Sequence, residues 1–526
     1  MRKLLLLIPF LGITALTVIF IIKDTTYTPS DLYQLKIRYQ KKHTPSVDHS
    51  KFLILQKNFA SPQEVTAACI TCHTERHKEV MNSSHWNWER ADYIPGKGIA
   101  YLGKKNTINN FCIGTQGNEK SCAKCHIGFG MSEESFSFTD STNIDCMVCH
   151  DNSGSYVKAS NLSGYPDPAT NLKEIAQHIG RPTRDNCGVC HFFGGGGNNV
   201  KHGDLDKAMF TPDRSLDVHM GENSSNLVCV DCHTAENHQM KGKVYSLSSL
   251  SIDRSTCEQC HSETPHESGI LNEHTLKVAC QTCHIPLYAK ANATKMAWDW
   301  STAGKLDANG EPYTVEDADG NHTYMSIKGS FTWAKNIKPD YIWFNGTADH
   351  YLLGDSIDDP TQPLTLNPLN GSYDDRESKI IPVKIHKAKQ IYDPVTMLLI
   401  QPKLFADKKG EGAYWVDFDW AKASAIGMKD VGLPFSGKYE FLDTKMYWPV
   451  NHQVAPKELS VQCVECHTRE NSRLAGLTDF YLPGRDYSPL VDILGKIMII
   501  LSLIGIALHA SLRVAAVRKN RKGGNA

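Results

Sequence analysis

The sequence predicts a mainly α-helical and irregular fold whose core is built on packed cofactors rather than on side chains. An irregular strand-and-loop segment precedes the last of its repeats, and one membrane-spanning helix closes each end. Three observations carry this. Sixteen of the 17 cysteines fall into eight copies of Cys-x-x-Cys-His. Seven copies crowd into residues 69–284, about 31 residues each, too little chain to enclose a core of its own. An apolar run lies near each end of the 526 residues.

The balance of 56 basic and 57 acidic residues leaves no basic footprint for nucleic acid, and 41% hydrophobic residues argue against disorder. The first run, Leu4 to Ile22, has no charge and is flanked by Arg2, Lys3 and Lys23. At 19 residues it is longer than the roughly 7–15 of a secretory signal, and no Ala-x-Ala follows it. Residues 1–29 therefore read as an anchor in preference to a cleaved signal. The second run, Ile493 to Leu512, is broken only by Lys496 and ends in Arg513, Arg518, Lys519, Arg521 and Lys522. Residues 486–526 read as an anchor with a basic cytoplasmic tail. Both ends inside place the bulk of the chain on the periplasmic face of a bacterial cytoplasmic membrane, held to lipid by two anchors.

The repeats in order are Cys69-x-x-Cys72-His73, Cys122-x-x-Cys125-His126, Cys146-x-x-Cys149-His150 and Cys187-x-x-Cys190-His191. They continue as Cys229-x-x-Cys232-His233, Cys257-x-x-Cys260-His261, Cys280-x-x-Cys283-His284 and Cys463-x-x-Cys466-His467. Two thiols three residues apart can each add to one porphyrin vinyl group, and the next residue swings its imidazole beneath the iron. This is the attachment signature of heme c. The chain is thus expected to carry eight covalently bound hemes c in a multiheme cytochrome c fold. A zinc site would pair the cysteines with distant ligands, and a disulfide framework leaves the histidines unexplained.

Fifteen histidines lie outside the motifs. An electron-transfer heme needs a second axial ligand, whereas a catalytic heme keeps one position open. His85, His202, His219, His238, His266, His274 and His452 lie near or between motifs and are the expected distal ligands, with His77 and His178 in reserve. His43 and His49 precede the motifs, and His509 is read as structural. Seven closed irons out of eight would leave one different.

Residues 30–284 form the seven-heme region, with helical patches at 62–68 and 171–178. Residues 285–485 change character: Met296-Ala-Trp298-Asp-Trp300, Phe331-Thr-Trp333 and Tyr414-Trp-Val-Asp-Phe418 are aromatic clusters. They read as irregular strands and loops wrapping the hemes and returning the chain to place the eighth.

Ile108-Asn-Asn-Phe-Cys112, Asp145-Cys146-Met-Val-Cys149-His150-Asp151 and Tyr156-Val-Lys158 resemble the octaheme tetrathionate reductase family. So do Gly194 to Gly197, Lys201-His202-Gly-Asp-Leu-Asp206, Asp217-Val-His219-Met and Asn272-Glu-His274. The likeness covers roughly residues 60–480. It implies kinship with pentaheme nitrite reductases and hydroxylamine oxidoreductases, and one active-site heme ligated by a lysine outside its motif. That lysine matches Lys158, and the heme is the one on Cys122 and Cys125, with His126 displaced or otherwise used. On the open face the resemblance implies Cys112, with Asp145 or Asp151, beside the substrate.

The expectation is a membrane-anchored terminal reductase acting on a small inorganic sulfur or nitrogen oxyanion, tetrathionate first, with nitrite and hydroxylamine as alternatives. Its electrons would come from the quinol pool or a quinol dehydrogenase. A non-catalytic periplasmic conduit and an oxidase of hydroxylamine or hydrazine are the other readings.

Overall fold

The computed structural model describes residues 47–94, 97–111, 114–242 and 253–522. The N-terminal run, His43 and Cys112 lie outside the described residues. The chain divides into two compact units, Met1–Val461 and Gln462–Ala526.

Helices in the first unit are short because their task is local. The helix Pro62–Cys72 starts at Ser61, whose side chain accepts from Glu64 N, with proline in its first turn, and ends at its motif. One turn suffices to bring two cysteines to one side, as in Met147–His150 and Cys229–Cys232. His73 and His233 cap their helices with ψ of 58° and 63°, which turns the imidazole out of the helical path.

The segment after the seventh motif corrects the expectation of irregular strands. It forms a nine-stranded sheet from β5 (Thr294–Asp299), β6 (Thr314–Glu316), β7 (His322–Met325), β8 (Gly329–Ala334), β9 (Asp340–Phe344), β10 (Leu364–Thr365), β11 (Lys379–Asp393), β12 (Leu398–Leu399) and β13 (Glu440–Pro449). Two small hairpins precede it: β1 (Arg90–Ile94) with β2 (Gly98–Leu102), and β3 (Ala235–Glu236) with β4 (Gln239–Met240). The large sheet runs β10-β13-β11-β5-β8-β7-β6, with β9 and β12 also on β11.

The lysines and the proline of β11 hide it in the sequence. Its side chains are nonetheless buried on both faces, Lys384 and His386 included. Lys384 Nζ is satisfied by Val200 O at 2.8 Å and Thr294 Oγ1 at 2.7 Å, while His386 Nδ1 lies 3.0 Å from Asn110 Oδ1. These long-range bonds tie loops of the heme region to the sheet. The aromatic clusters pack beside it: Trp298 stacks on Trp300 at 4.6 Å and Tyr414 on Trp420 at 3.6 Å.

In the second unit the helix Pro489–Lys522 is long and apolar enough over Pro489–Arg518 to cross a membrane, and none of that stretch is buried within the chain. Its 30 residues rise about 45 Å, against a hydrocarbon core of about 30 Å.

Candidate functional site

Seven motifs line one cavity of about 4180 Å3 in the first unit. A pocket for a single small molecule has roughly 300–1,000 Å3. Two imidazoles bound across one metal, with metal–nitrogen bonds of about 2 Å and about 1.1 Å from nitrogen to ring centre, have centroids about 6.3 Å apart. Six motif histidines face a second histidine at that spacing. The pairs are His73 with His49 at 6.4 Å, His150 with His238 at 6.4 Å, and His191 with His85 at 6.3 Å. The others are His233 with His452 at 6.2 Å, His261 with His219 at 6.0 Å, and His284 with His266 at 6.1 Å.

A ligating histidine typically binds metal through one ring nitrogen and donates from the other. His150 Nδ1 meets Gly180 O at 2.9 Å and His233 Nδ1 meets Lys241 O at 3.0 Å. His238 Nδ1 meets Glu79 Oε2 at 2.8 Å, and His452 Nδ1 meets Asp204 Oδ2 at 3.1 Å. In each case Nδ1, not Nε2, takes the hydrogen bond.

The second motif reverses this. His126 spends Nε2 on Trp86 O at 2.7 Å, while its buried Nδ1 has no partner among the described residues. Its ring sits between Trp86 and Trp88, both at 5.5 Å, and burial pushes its pKa down to about 4, so it is neutral at pH 7. Lys158 occupies the same neighbourhood. It is buried, its Nζ donates to His126 O, and Asp145 Oδ2 lies 3.3 Å away. Asp145 also accepts from Tyr156 OH at 2.8 Å and from Val148 N at 3.0 Å, and burial raises its pKa. Lys158, Asp145, Cys122 and Cys125 all line the cavity.

Asp151 does different work from Asp145. Its carboxylate accepts from Ser153 N, Ser153 Oγ, Gly154 N and Tyr156 N at 2.6–3.2 Å, which fixes the turn that leads to Lys158. His202 is packed against Trp448 with centroids 5.2 Å apart, and among the described residues no motif ring faces it at the iron-spanning distance. His274 ends the helix Gly269–His274, with Nδ1 2.7 Å from Ile270 O. His49 is the member of the six pairs that sequence reasoning set aside, because it precedes every motif. Glu79 and Asp204 carried no sequence signal as partners of histidine.

The motif sulfurs also meet one another. Cys69 lies near Cys146, Cys125 near Cys190, Cys187 near Cys229 and Cys257 near Cys280. Hemes held on these sulfurs would be neighbours, first motif with third, second with fourth, fourth with fifth and sixth with seventh.

Fold and cavity define a multiheme cytochrome c. Residues 212–290 match the family described as cytochrome c7 and related cytochrome c, and residues 295–470 match bacterial cytochrome c. The crystal structure of octaheme cytochrome c from Shewanella oneidensis superposes with a TM-score of 0.77 at 42% identity, covering 84% of this chain and 98% of that one. A protein of Archaeoglobus fulgidus that is itself uncharacterized is 26% identical over 250 residues, 37% of this chain and 80% of its own. The chain belongs to the octaheme tetrathionate reductase family. It is therefore a covalent heme c protein of a redox enzyme family.

Proposed function

We propose that the chain carries eight hemes c and works as a reductase in which bis-histidine hemes feed one heme ligated by Lys158. The observation that carries this is the departure at the second motif: His126 turns Nε2 onto the Trp86 carbonyl, and Lys158 is buried beside it with Nζ on His126 O and near Asp145. The donor set suits a coordinated amine. A neutral lysine has two N–H bonds and one lone pair, and Nζ has two acceptors, His126 O and Asp145 Oδ2. Both N–H bonds are then engaged and the lone pair is left for metal.

In this reading His49, His85, His219, His238, His266 and His452 are distal ligands opposite the six motif histidines they face. His274 remains a proposed distal ligand, and His202 packs the wall beside Trp448. The heme held there would supply electrons to a small oxyanion. Asp145 and Tyr156 hold Lys158 in place, and Asp151 shapes the loop between them.

The proposed substrate is tetrathionate, cleaved by two electrons into two thiosulfate ions with no net proton uptake. Cys112, proposed from the family resemblance, would attack the central sulfur–sulfur bond as a thiolate, expelling one thiosulfate and leaving a Cys112–thiosulfate adduct that two electrons from the hemes would cleave to the second thiosulfate and the free thiolate. Nitrite and hydroxylamine are the alternative substrates of the same open position. We place the first unit in the periplasm and the electron source in the membrane. Reoxidation of dithionite-reduced protein by tetrathionate, nitrite and hydroxylamine, in wild type and Lys158→Ala, tests the reading. A reduced protein inert to all three would identify a conduit.

A further inference from the structure

We infer that the heme on Cys463 and Cys466 is the port through which electrons come in, donated by a lipid-confined quinol at the membrane surface. This rests on the reading that the eighth motif holds heme, and not on Lys158 or on the substrate. The second compact unit, Gln462–Ala526, contains both that motif and the membrane-length helix.

The two are joined through the metal-binding histidine itself. His467 Nδ1 lies 2.8 Å from Pro483 O, so the residue that orients this imidazole belongs to the segment that leads into the helix at Pro489. Six residues of chain reach at most about 22 Å. Gly484, at φ +84°, allows that approach: a Cβ there would stand 2.8 Å from His467 O. Arg469 Nη2 reaches Asp492 in the first turn of the helix at 3.2 Å, and its guanidinium lies 5.3 Å from the Tyr487 ring. The Arg469–Asp492 pair is exposed and adds little free energy, but it fixes where the motif loop lies.

The surface chemistry agrees. Tyr481 and Tyr487, exposed by 58% and 53%, sit just ahead of the helix, where tyrosines favour a membrane–water interface. Arg513, Arg518, Lys519, Arg521 and Lys522 lie at the opposite end. The positive-inside rule puts that end in the cytoplasm, and so puts the motif at the outer leaflet. Oxidation of one quinol there releases two protons and two electrons, which reduce two ferric hemes in succession.

The test uses full-length protein with all hemes ferric, in nanodiscs of phosphatidylethanolamine and phosphatidylglycerol. It is mixed with a long-chain naphthoquinol and freeze-quenched for EPR without any substrate. The His467→Met variant assigns the signal: it shifts if the variant loads heme and is missing by difference if it does not. Loss of the His467 heme signal ahead of all others is expected. Another heme reduced first, or no reduction by the quinol, would overturn the inference. A wild-type spectrum with no signal belonging to this motif would overturn it together with the eight-heme reading. A failed Lys158 assignment leaves the result untouched.

Discussion

Asp204 should hold down the reduction potential of the heme proposed to sit between His233 and His452. Its side chain is 1% exposed, and Oδ2 accepts from Asn451 N at 2.6 Å, His452 N at 2.8 Å and His452 Nδ1 at 3.1 Å. Adding the width of the imidazole and a metal–nitrogen bond of about 2 Å puts this carboxylate about 7 Å from the iron. At an effective dielectric constant of about 20, one unit charge at that distance is worth about 2.4 kcal/mol. The negative charge favours the ferric state. Asp204→Asn removes the charge and keeps an acceptor, so the potential of this one heme should rise by about 100 mV. Spectropotentiometry read by EPR, heme by heme, measures the shift. A titration in which no heme moves, or in which one moves downward, would refute the electrostatic reasoning.

Glu79→Gln should raise the potential of the His150–His238 heme by less, because Glu79 is 17% exposed and already pairs with Arg76; the same titration compares the two. His49→Ala should open one iron, read as a new high-spin ferric signal and as carbon monoxide binding to the reduced protein. Asp145→Asn should weaken the hold on Lys158 and slow substrate-driven reoxidation by about 10- to 100-fold, with Tyr156→Phe having the smaller effect. Trp298→Ala, in the aromatic core beside the sheet, should destabilise the first unit by about 3–5 kcal/mol in denaturant titration while leaving the heme spectra unchanged.

The motifs were fully legible because their chemistry is local: two thiols and an imidazole within five residues. Which histidine faces which is a matter of what lies across a cavity, so adjacency in sequence singled out His238 and His266, whose rings face motif histidines, but passed over His49, which faces His73 from well upstream. His202 looked equivalent to His219 in sequence, and only long-range packing against Trp448 separates them. The sheet was obscured for the same reason. Lys384 and His386 are buried in β11 only because Val200, Thr294 and Asn110, distant in sequence, bring their partners. Lys158 stood out through family resemblance. The turned imidazole of His126, which gives that lysine its chemical meaning, left no mark in a pentapeptide identical in form to the other seven.

The proposed ligation by Lys158 sets one iron apart from the rest. Ferric EPR spin quantitation of wild type and Lys158→Ala, followed by mixing of the reduced proteins with tetrathionate or nitrite, tests it most directly. One high-spin heme in eight is expected, altered in Lys158→Ala, with rapid reoxidation in wild type that the variant loses. Eight low-spin hemes indifferent to both oxidants, or a variant indistinguishable from wild type, would contradict it.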